Sequence, residues 1–343
     1  MPATMLLALV IVACGGGSPP APTATPAALS TPMDLPTPSA TVSPAGSLRI
    51  TTFDLGLLAP TDLASDGLSI WVSSLGEPDA LNTTVRRFSL EGAPIGSYNL
   101  GTVPGAILFD GENIWVSKLG TPADPGDAVV KLSTAGLFIR EYSTGEQPFA
   151  LAFDGENLWV ANAEEDTVVK LSEGGDVLGT FPVDKGPSAL AFDGENIWVT
   201  IFGSHEEEGH TVQKLAPDGT VLASYPVGIR PIALAFDGTN MWVANSGPTG
   251  HDGRDTVSKL ALDGTLLEEF RVGNGPLDIL FDGESIWVAN GGDNNLMRIS
   301  LLGLRLGTFR VGIGPVSMAF DGESVWVANV EDGTLTRITL PGE

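Results

Sequence analysis

The sequence repeats one short signature seven times: a proline, an Asp-Gly pair six residues later, and a Trp-Val pair five residues after the aspartate. The signature contains every tryptophan of the chain, namely Trp71, Trp115, Trp159, Trp198, Trp242, Trp287 and Trp326. A fixed period of about forty residues is typical of folds that are built from equivalent units. The copies run to the end of the sequence, which predicts one repeat domain over residues 47–343.

Each unit has the composition of four short β-strands, which we name A to D in chain order. In the third unit the segments PFALAF, LWVAN, TVVKLS and VLGTFPV alternate with turn signals such as Asp154-Gly155 and Gly174-Gly175. Strands of this length joined by Gly-containing turns are typical of antiparallel hairpins. Seven such units predict an all-β fold, a seven-bladed β-propeller with four-stranded antiparallel blades.

The two ends of the repeat region complement each other. The seventh unit ends after its strand C, whereas residues 47–56 precede the first proline and form an extra strand with Phe53 near the position of the strand D aromatic. A ring leaves no open edge at this point if the N-terminal strand completes the C-terminal blade. We therefore predict this closure.

The N-terminal region has the pattern of an export signal. Residues 5–13 are apolar and too few to span a membrane, and Cys14, the only cysteine, follows Ile11-Val12-Ala13 as in a bacterial lipobox, although residues 1–13 contain no Lys or Arg. We interpret residues 1–13 as a signal peptide and residues 14–46 as a lipidated Cys14 followed by a Pro/Thr/Ser/Ala-rich disordered tether. This predicts an extracytoplasmic, membrane-anchored lipoprotein; a secreted or periplasmic protein is the alternative.

The charge of the chain restricts its partners. The formal net charge is −25, and the Lys and Arg residues are scattered singly. Nucleic-acid binding depends on clustered basic residues, so we expect no nucleic-acid partner, and membrane contact only through the lipid anchor. We expect a monomer.

The spacing of the repeat varies at only one place. The distance from proline to tryptophan is always 11 residues, but the distance from tryptophan to the basic residue of strand C is 16, 16, 11, 16, 17, 11 and 11 residues. The insertions therefore lie between strands B and C in blades 1, 2, 4 and 5, on the rim that also carries the D–A connections. Loop variation on a fixed scaffold indicates a binding face, and we predict a protein, peptide or glycan partner at this B–C rim.

All three histidines lie in these long loops, together with acidic residues. Because imidazole and carboxylate groups are zinc-type ligands, the loops of blades 4 and 5 are a candidate site for a divalent metal, with no other cofactor expected. The candidate ligands are His205, Glu207, His210, His251, Asp252 and Asp255. The alternative is that these are solvated acidic loops without a metal.

Two further sets of polar residues have a structural interpretation. Asn162, Asn245, Asn290 and Asn329 end strand B in four blades, and their recurrence favours strand-end capping over metal ligation. The aspartate of each Asp-Gly pair is interpreted as a turn residue on the opposite rim, without a chemical role.

Repeats of the form FDGENIWVAN…TVxKLxxDG resemble those of bacterial propellers of the NHL, YVTN/YncE-like and virginiamycin B (streptogramin) lyase-like group. The resemblance covers nearly all of residues 47–343 and implies the propeller fold, whereas the functions in this group are diverse. We favour a non-enzymatic binding or scaffold module acting through the B–C rim. The alternative that the resemblance implies is a metal-dependent lyase or hydrolase, similar to streptogramin lyases or gluconolactonase-like propellers.

Overall fold

Seven four-stranded antiparallel sheets contain almost all of the regular secondary structure in the described residues of the computed structural model. The structure describes residues 48–56, 59–77, 80–81, 83–121, 124–204, 208–247 and 255–340. The predicted signal peptide, Cys14 and the tether lie outside these ranges. Within the described ranges, no helix is long and apolar enough to cross a membrane.

Each sheet is one blade, and its strands follow the chain order. The strands A to D of blades 1 to 4 are Pro60–Ser65, Ser69–Ser74, Thr84–Ser89 and Pro94–Asn99; Pro104–Phe109, Asn113–Thr121, Asp124–Ser133 and Phe138–Ser143; Pro148–Phe153, Asn157–Asn162, Thr167–Ser172 and Val177–Pro182; Pro187–Phe192, Ile197–Gly203, Glu208–Leu215 and Val221–Pro226. Those of blades 5 to 7 are Pro231–Phe236, Asn240–Asn245, Thr256–Ala261 and Leu266–Arg271; Pro276–Phe281, Ser285–Asn290, Asn295–Ser300 and Arg305–Arg310; Pro315–Phe320, Ser324–Asn329, Thr334–Thr339 and Arg49–Asp54. A short 3₁₀ helix, Gly291–Asp293, and a small hairpin, Gly76–Glu77 with Ala80–Leu81, complete the elements. The predicted seven-bladed propeller is confirmed.

The ring is closed by the N-terminal strand, as predicted. Arg49–Asp54 pairs antiparallel with Thr334–Thr339, with Phe53 opposite Leu335. Phe181 of blade 3 lies opposite Val168 in the same relative position. The strand D aromatic of blade 7 is therefore in register with those of the other blades.

The tryptophans fill the spaces between blades. All seven are fully buried, and the apolar side chains of the described residues form seven clusters, each of which joins neighbouring blades. Every Trp also contacts the ring of the strand D aromatic in its own blade, with centroids 5.2 Å apart for Trp71 and Tyr98 and 5.8 Å apart for Trp159 and Phe181. Burying a large aromatic side chain contributes about 1.5–3 kcal/mol, so these layers supply much of the stability of the disc.

The Asp of each Asp-Gly pair holds the Trp of the same blade. In blade 4, Asp193 Oδ1 accepts the amides of Glu195 and Asn196, and its Oδ2 accepts Trp198 Nε1–H at 2.7 Å. Lys214 Nζ lies 3.0 Å from Oδ2 and 5.0 Å from the centroid of the indole ring. The turn interpretation is confirmed, and the Asp–Trp bond, which recurs in all seven blades, is a second role that was not predicted.

Two of the four B–C insertions, those of blades 2 and 4, are continuations of the strands. In blade 2 strands B and C extend to Thr121 and from Asp124, and in blade 4 they extend to Gly203 and from Glu208. Residues 248–254 of the blade 5 insertion lie outside the described ranges. Hairpins thus rise from the rim beside the channel in blades 2 and 4, whereas blades 3, 6 and 7 turn directly.

Candidate functional site

A cavity of about 600 Å³ occupies the end of the central channel on the B–C rim. Strand A is the innermost strand of each blade, and it packs against strand A of the two neighbouring blades. Because strand A begins at this rim, the first residues after each proline form the wall of the cavity, together with residues at or after the end of strand B, such as Leu75, Leu119 and Val330. The volume is in the range of small-molecule sites in proteins.

The second residue after each proline faces this cavity, and its identity differs around the ring. It is alanine in blades 2 to 5, at Ala106, Ala150, Ala189 and Ala233. It is polar in the three adjacent blades 6, 7 and 1, at Asp278, Ser317 and Asp62. We call Asp62, Ser317 and Asp278 the polar arc. The remaining wall is mainly apolar and includes Phe149, Leu151, Leu190, Ile232 and Leu234.

The three side chains of the polar arc make equivalent bonds to the next blade. Asp278 Oδ2 accepts the amide of Met318 at 2.6 Å, and Asp62 Oδ2 accepts the amide of Ile107 at 2.7 Å. Ser317 Oγ accepts the amide of Leu63 at 3.2 Å. The Ser317 hydroxyl in turn donates to Asp62 Oδ1 at 2.7 Å.

The three bonds are equivalent because the innermost strand of each blade has one edge that no other strand of that blade covers. The amides on this edge point away from the blade, and the polar arc supplies acceptors for three of them.

The two carboxyl groups of the arc bind protons more tightly than usual. Burial raises the pKa of Asp62, and the bonds from Ser317, Ile107 and Leu63 only partly oppose this effect. Burial, together with the nearby charge of Asp62, raises the pKa of Asp278 to about 8. Both side chains keep some accessible surface, which faces the cavity. Desolvation and like charge both disfavour ionisation, so the pair holds a proton at neutral pH.

Arg230 and Glu331 are the other charged residues of the cavity wall. Arg230 is buried, has the left-handed φ of 55°, and places its guanidinium 4.8 Å from the centroid of the Phe202 ring. Burial lowers its pKa, whereas the charge of Glu208 opposes this shift. A left-handed backbone is unfavourable for a non-glycine residue. The Arg230 amide donates to the Gly209 carbonyl at 2.7 Å, which helps to hold this conformation beside the channel.

The predicted metal ligands are only partly within the described ranges. His205, Glu207, His251 and Asp252 lie outside them. His210 is exposed, and its ring Nδ1 lies 3.4 Å from the carbonyl oxygen of Glu208.

The remaining candidate ligand is buried. Asp255 Oδ2 accepts the amide of Gly275, which links blade 5 to blade 6. In the part of the chain that the structure describes, no group of three or more His, Cys, Asp or Glu side chains is arranged to hold a metal. The histidine site stays a prediction.

The strand-end asparagines have the contacts expected of caps. Asn162, Asn245 and Asn329 are fully buried and donate Nδ2–H to threonine hydroxyls at the start of strand C, while Asn290 donates to Asn295 Oδ1. Their Oδ1 atoms have no hydrogen-bond partner. None of the four lines the channel cavity. The capping interpretation therefore agrees with the structure.

The polar arc was not predicted. The only signal in the sequence is the comparison of equivalent positions, because PTDLAS and PLDILF carry Asp where four other units carry Ala.

Comparison with known proteins identifies solved structures with a similar fold. No family model matches the chain, and no curated protein matches it. Among solved structures, the virginiamycin B lyase from Staphylococcus aureus is 15% identical, with a TM-score of 0.69, over 86% of this chain and 100% of that one. A streptogramin B lyase is 17% identical, with a TM-score of 0.70, over 87% of this chain and 100% of that one.

Hydrazine synthase from Kuenenia stuttgartiensis is 16% identical, with a TM-score of 0.68, over 82% of this chain and 96% of that one. At such identities the likeness concerns the fold alone. The chain therefore has the propeller fold of the streptogramin lyases, and the resemblance in its repeats is confirmed at that level.

Proposed function

We propose that the protein is a non-enzymatic binding module that takes part of a peptide or protein partner into the cavity at the channel mouth. The observation that carries this proposal is the 600 Å³ cavity on the B–C rim, with an apolar wall on one side and the polar arc on the other. Binding sites are typically concave and mostly apolar, with a few converging polar groups that orient the ligand.

The wall of the cavity favours a peptide over a glycan. Leu151, Leu190, Ile232 and Leu234 supply aliphatic surface, which suits an apolar side chain or a chain terminus. Carbohydrate recognition would need polar groups distributed around the cavity, whereas here the polar arc is confined to three adjacent blades. The raised hairpins of blades 2 and 4 add flanking surface for the rest of the partner.

The cellular setting is part of the proposal. The predicted lipidation of Cys14 and the tether of residues 14–46 would hold the disc away from a membrane surface, where the B–C rim can meet a partner. A Cys14→Ala chain should then leave the membrane fraction and appear in the soluble fraction. Equal membrane association of both chains would contradict the anchor and leave the binding proposal intact.

The binding proposal is tested by filling the cavity. A peptide library is selected on the immobilised protein, and the affinity of the selected peptides is measured by calorimetry. Ala189→Trp places an indole in the cavity, and Thr239→Trp places the same group on the exposed A–B turn of the opposite rim. We expect Ala189→Trp to weaken binding at least tenfold and Thr239→Trp to leave it unchanged, with equal melting temperatures.

Two results would overturn this assignment. Peptide affinity that is unaffected by Ala189→Trp would move the site away from the channel. Stoichiometric metal in the purified protein, with binding lost on chelation, would favour the metal-dependent alternative instead.

A further inference from the structure

Among the described residues, the carboxyl groups of Asp62 and Asp278 have no basic side chain paired with them, in contrast to several turn aspartates. Four of the turn aspartates have a Lys or Arg nitrogen within 3.0–3.6 Å, namely Asp66, Asp154, Asp193 and Asp282. Within the described ranges, no basic side chain forms an ion pair with Asp62 or Asp278. The ligand-free pair therefore keeps a proton in place of a balancing cation, and a cation that enters beside it would favour the fully ionised pair.

The architecture of the ring does not require these charges. Ser317 accepts the amide of the next blade in the same way as the two aspartates, with a neutral hydroxyl. Ala106, Ala150, Ala189 and Ala233 occupy the equivalent position in blades that assemble without any such acceptor. The carboxyl groups of Asp62 and Asp278 therefore have no structural function that serine or alanine fails to serve elsewhere in the ring.

The geometry leaves these carboxylates able to accept further hydrogen bonds. Each oxygen of Asp62 and Asp278 accepts one bond from a protein N–H or O–H. A carboxylate oxygen has a second lone pair, and both side chains reach the cavity. Low local dielectric strengthens the attraction of a cation that enters there.

We propose that the polar arc binds a positively charged nitrogen of the ligand, an ammonium or guanidinium group, between Asp62 and Asp278 and next to Ser317. This inference rests on the proposed binding function and specifies its ligand: a peptide whose N terminus, lysine or arginine enters the channel. A metal ion fits the arc less well, because the described residues offer no third carboxylate or imidazole beside the pair.

Two other charged groups face the same cavity. Arg230 lies on the blade 5 side, against Phe202 and within the field of Glu208. Glu331 lies on the blade 7 side and is exposed at the rim. The cation is therefore expected on the blade 6 to blade 1 side, away from Arg230, where Asp62, Asp278 and Glu331 are all acidic.

The test compares small probes of equal shape on the full chain. Benzylamine, benzamidine and the neutral benzyl alcohol are titrated, and binding is followed by calorimetry and by ¹⁵N amide shifts. We expect benzylamine or benzamidine to bind at least tenfold more tightly than benzyl alcohol, with the largest shifts at Leu63, Ile107 and Met318. The cation that binds more tightly, benzylamine or benzamidine, indicates whether the arc prefers an ammonium or a guanidinium group.

Matched variants locate the effect. Asp62→Asn and Asp278→Asn keep the shape of the arc and remove one ionisable carboxyl group each, so we expect each to reduce the preference for the cation at least fivefold. Asp218→Asn, at an exposed turn on the opposite rim, should leave the preference unchanged. If an Asn variant does not fold, the amide shifts of the wild-type protein still decide the question.

The inference fails if the wild type binds benzylamine and benzyl alcohol equally, or if both Asn variants keep the full preference. Displacement of benzylamine by stoichiometric Ca²⁺ or Mg²⁺ would assign the arc to a metal and would also overturn it. In each case peptide binding that is blocked by Ala189→Trp would still support the proposed function, so the two failures are distinguishable.

Discussion

Phe53, in the first described strand, stacks on Trp326 of the last blade, with ring centroids 5.4 Å apart and an interplanar angle of 20°. Trp242 and Phe270 form the same stack within blade 5, at 5.6 Å and 20°. Residues 273 positions apart thus make the contact that other blades make within one repeat. The stack indicates that the N-terminal strand is an integral part of blade 7.

Removing residues 47–56 should abolish cooperative folding. The deletion exposes the edge of Thr334–Thr339 and one face of Trp326, so we expect aggregation or a broad thermal transition. The milder Phe53→Ala should cost about 3 kcal/mol of unfolding free energy, measured by denaturant titration. Phe181→Ala removes a comparable ring inside one blade and is the control. A soluble deletion chain with an unchanged melting temperature would contradict the closure.

Loss of a turn aspartate should destabilise the protein through the tryptophan that it holds. Asp193→Ala leaves Trp198 Nε1–H buried without its acceptor and removes the partner of Lys214. We expect the unfolding free energy to fall by about 1–3 kcal/mol more than in Asp218→Ala, which removes a turn acceptor at an exposed site. Equal effects of the two substitutions would show that the Asp–Trp bond contributes little.

The channel pair should make the protein less stable as pH rises towards 8. Burial and the charge of Asp62 raise the pKa of Asp278 to about 8 in the folded protein, whereas its ordinary value is 3.8. The folded state thus binds a proton that the unfolded state has released, so this contribution is complete below pH 3.8 and is lost as pH rises through about 8. Asp278→Asn should therefore raise the melting temperature more at pH 8 than at pH 5. A constant difference at both values would contradict this assignment.

The turn aspartate Asp193 should have the opposite pH dependence. Burial alone would raise the pKa of Asp193, but the bonds from Trp198, Asn196 and Glu195 and from Lys214 outweigh it and lower the pKa. Their contribution is present above the ordinary pKa of 3.8 and is lost as pH falls through the folded value. Between pH 6 and pH values below 4, the unfolding free energy should therefore fall less in Asp193→Asn than in the wild type. If the unfolding free energy falls equally with acid in both proteins, Asp193 does not contribute to the acid sensitivity.

Close contact between a glycine and a capping asparagine should make one substitution costly. A Cβ on Gly312 would lie 2.6 Å from Asn329 Cγ, whereas a Cβ on Gly174 meets nothing nearer than Ser172 Oγ at 3.7 Å. We expect Gly312→Ala to cost about 1–3 kcal/mol of unfolding free energy and Gly174→Ala to be neutral. In an Asn329→Ala background the cost of Gly312→Ala should shrink, which a double-mutant cycle measures. An unchanged cost in that background would locate the strain elsewhere.

The fold could be predicted because its determinants are local and repeated. The 11-residue spacing from proline to tryptophan places the two inner strands, and Asp-Gly fixes the turn between them, so each unit defines its own blade. The closure was predictable because the strand that carries Phe53 precedes the first repeat unit, and the seventh unit ends after its strand C. The Asp–Trp bond was not predictable from spacing alone, since it requires the indole to turn back along its own strand.

The candidate site was only partly predictable. The B–C rim follows from loop length, and the cavity lies there. Asp62 and Asp278, however, are single polar residues in short apolar strands, 216 positions apart, and only ring closure makes their blades near neighbours. Burial raises both pKa values, and the charge of Asp62 further raises that of Asp278; both effects exist only in the assembled channel.

The strand that closes the ring is also the part of the disc nearest to the N-terminal segment. A pulling force on that segment acts first on Arg49–Asp54, which is held to Thr334–Thr339 by one antiparallel ladder. If the strand detaches, Trp326 loses its stacked ring and the boundary between blades 7 and 1 weakens, where Ser317 bonds to Asp62. Mechanical load on the N-terminal strand is thereby connected to the blade boundary at which Ser317 meets Asp62.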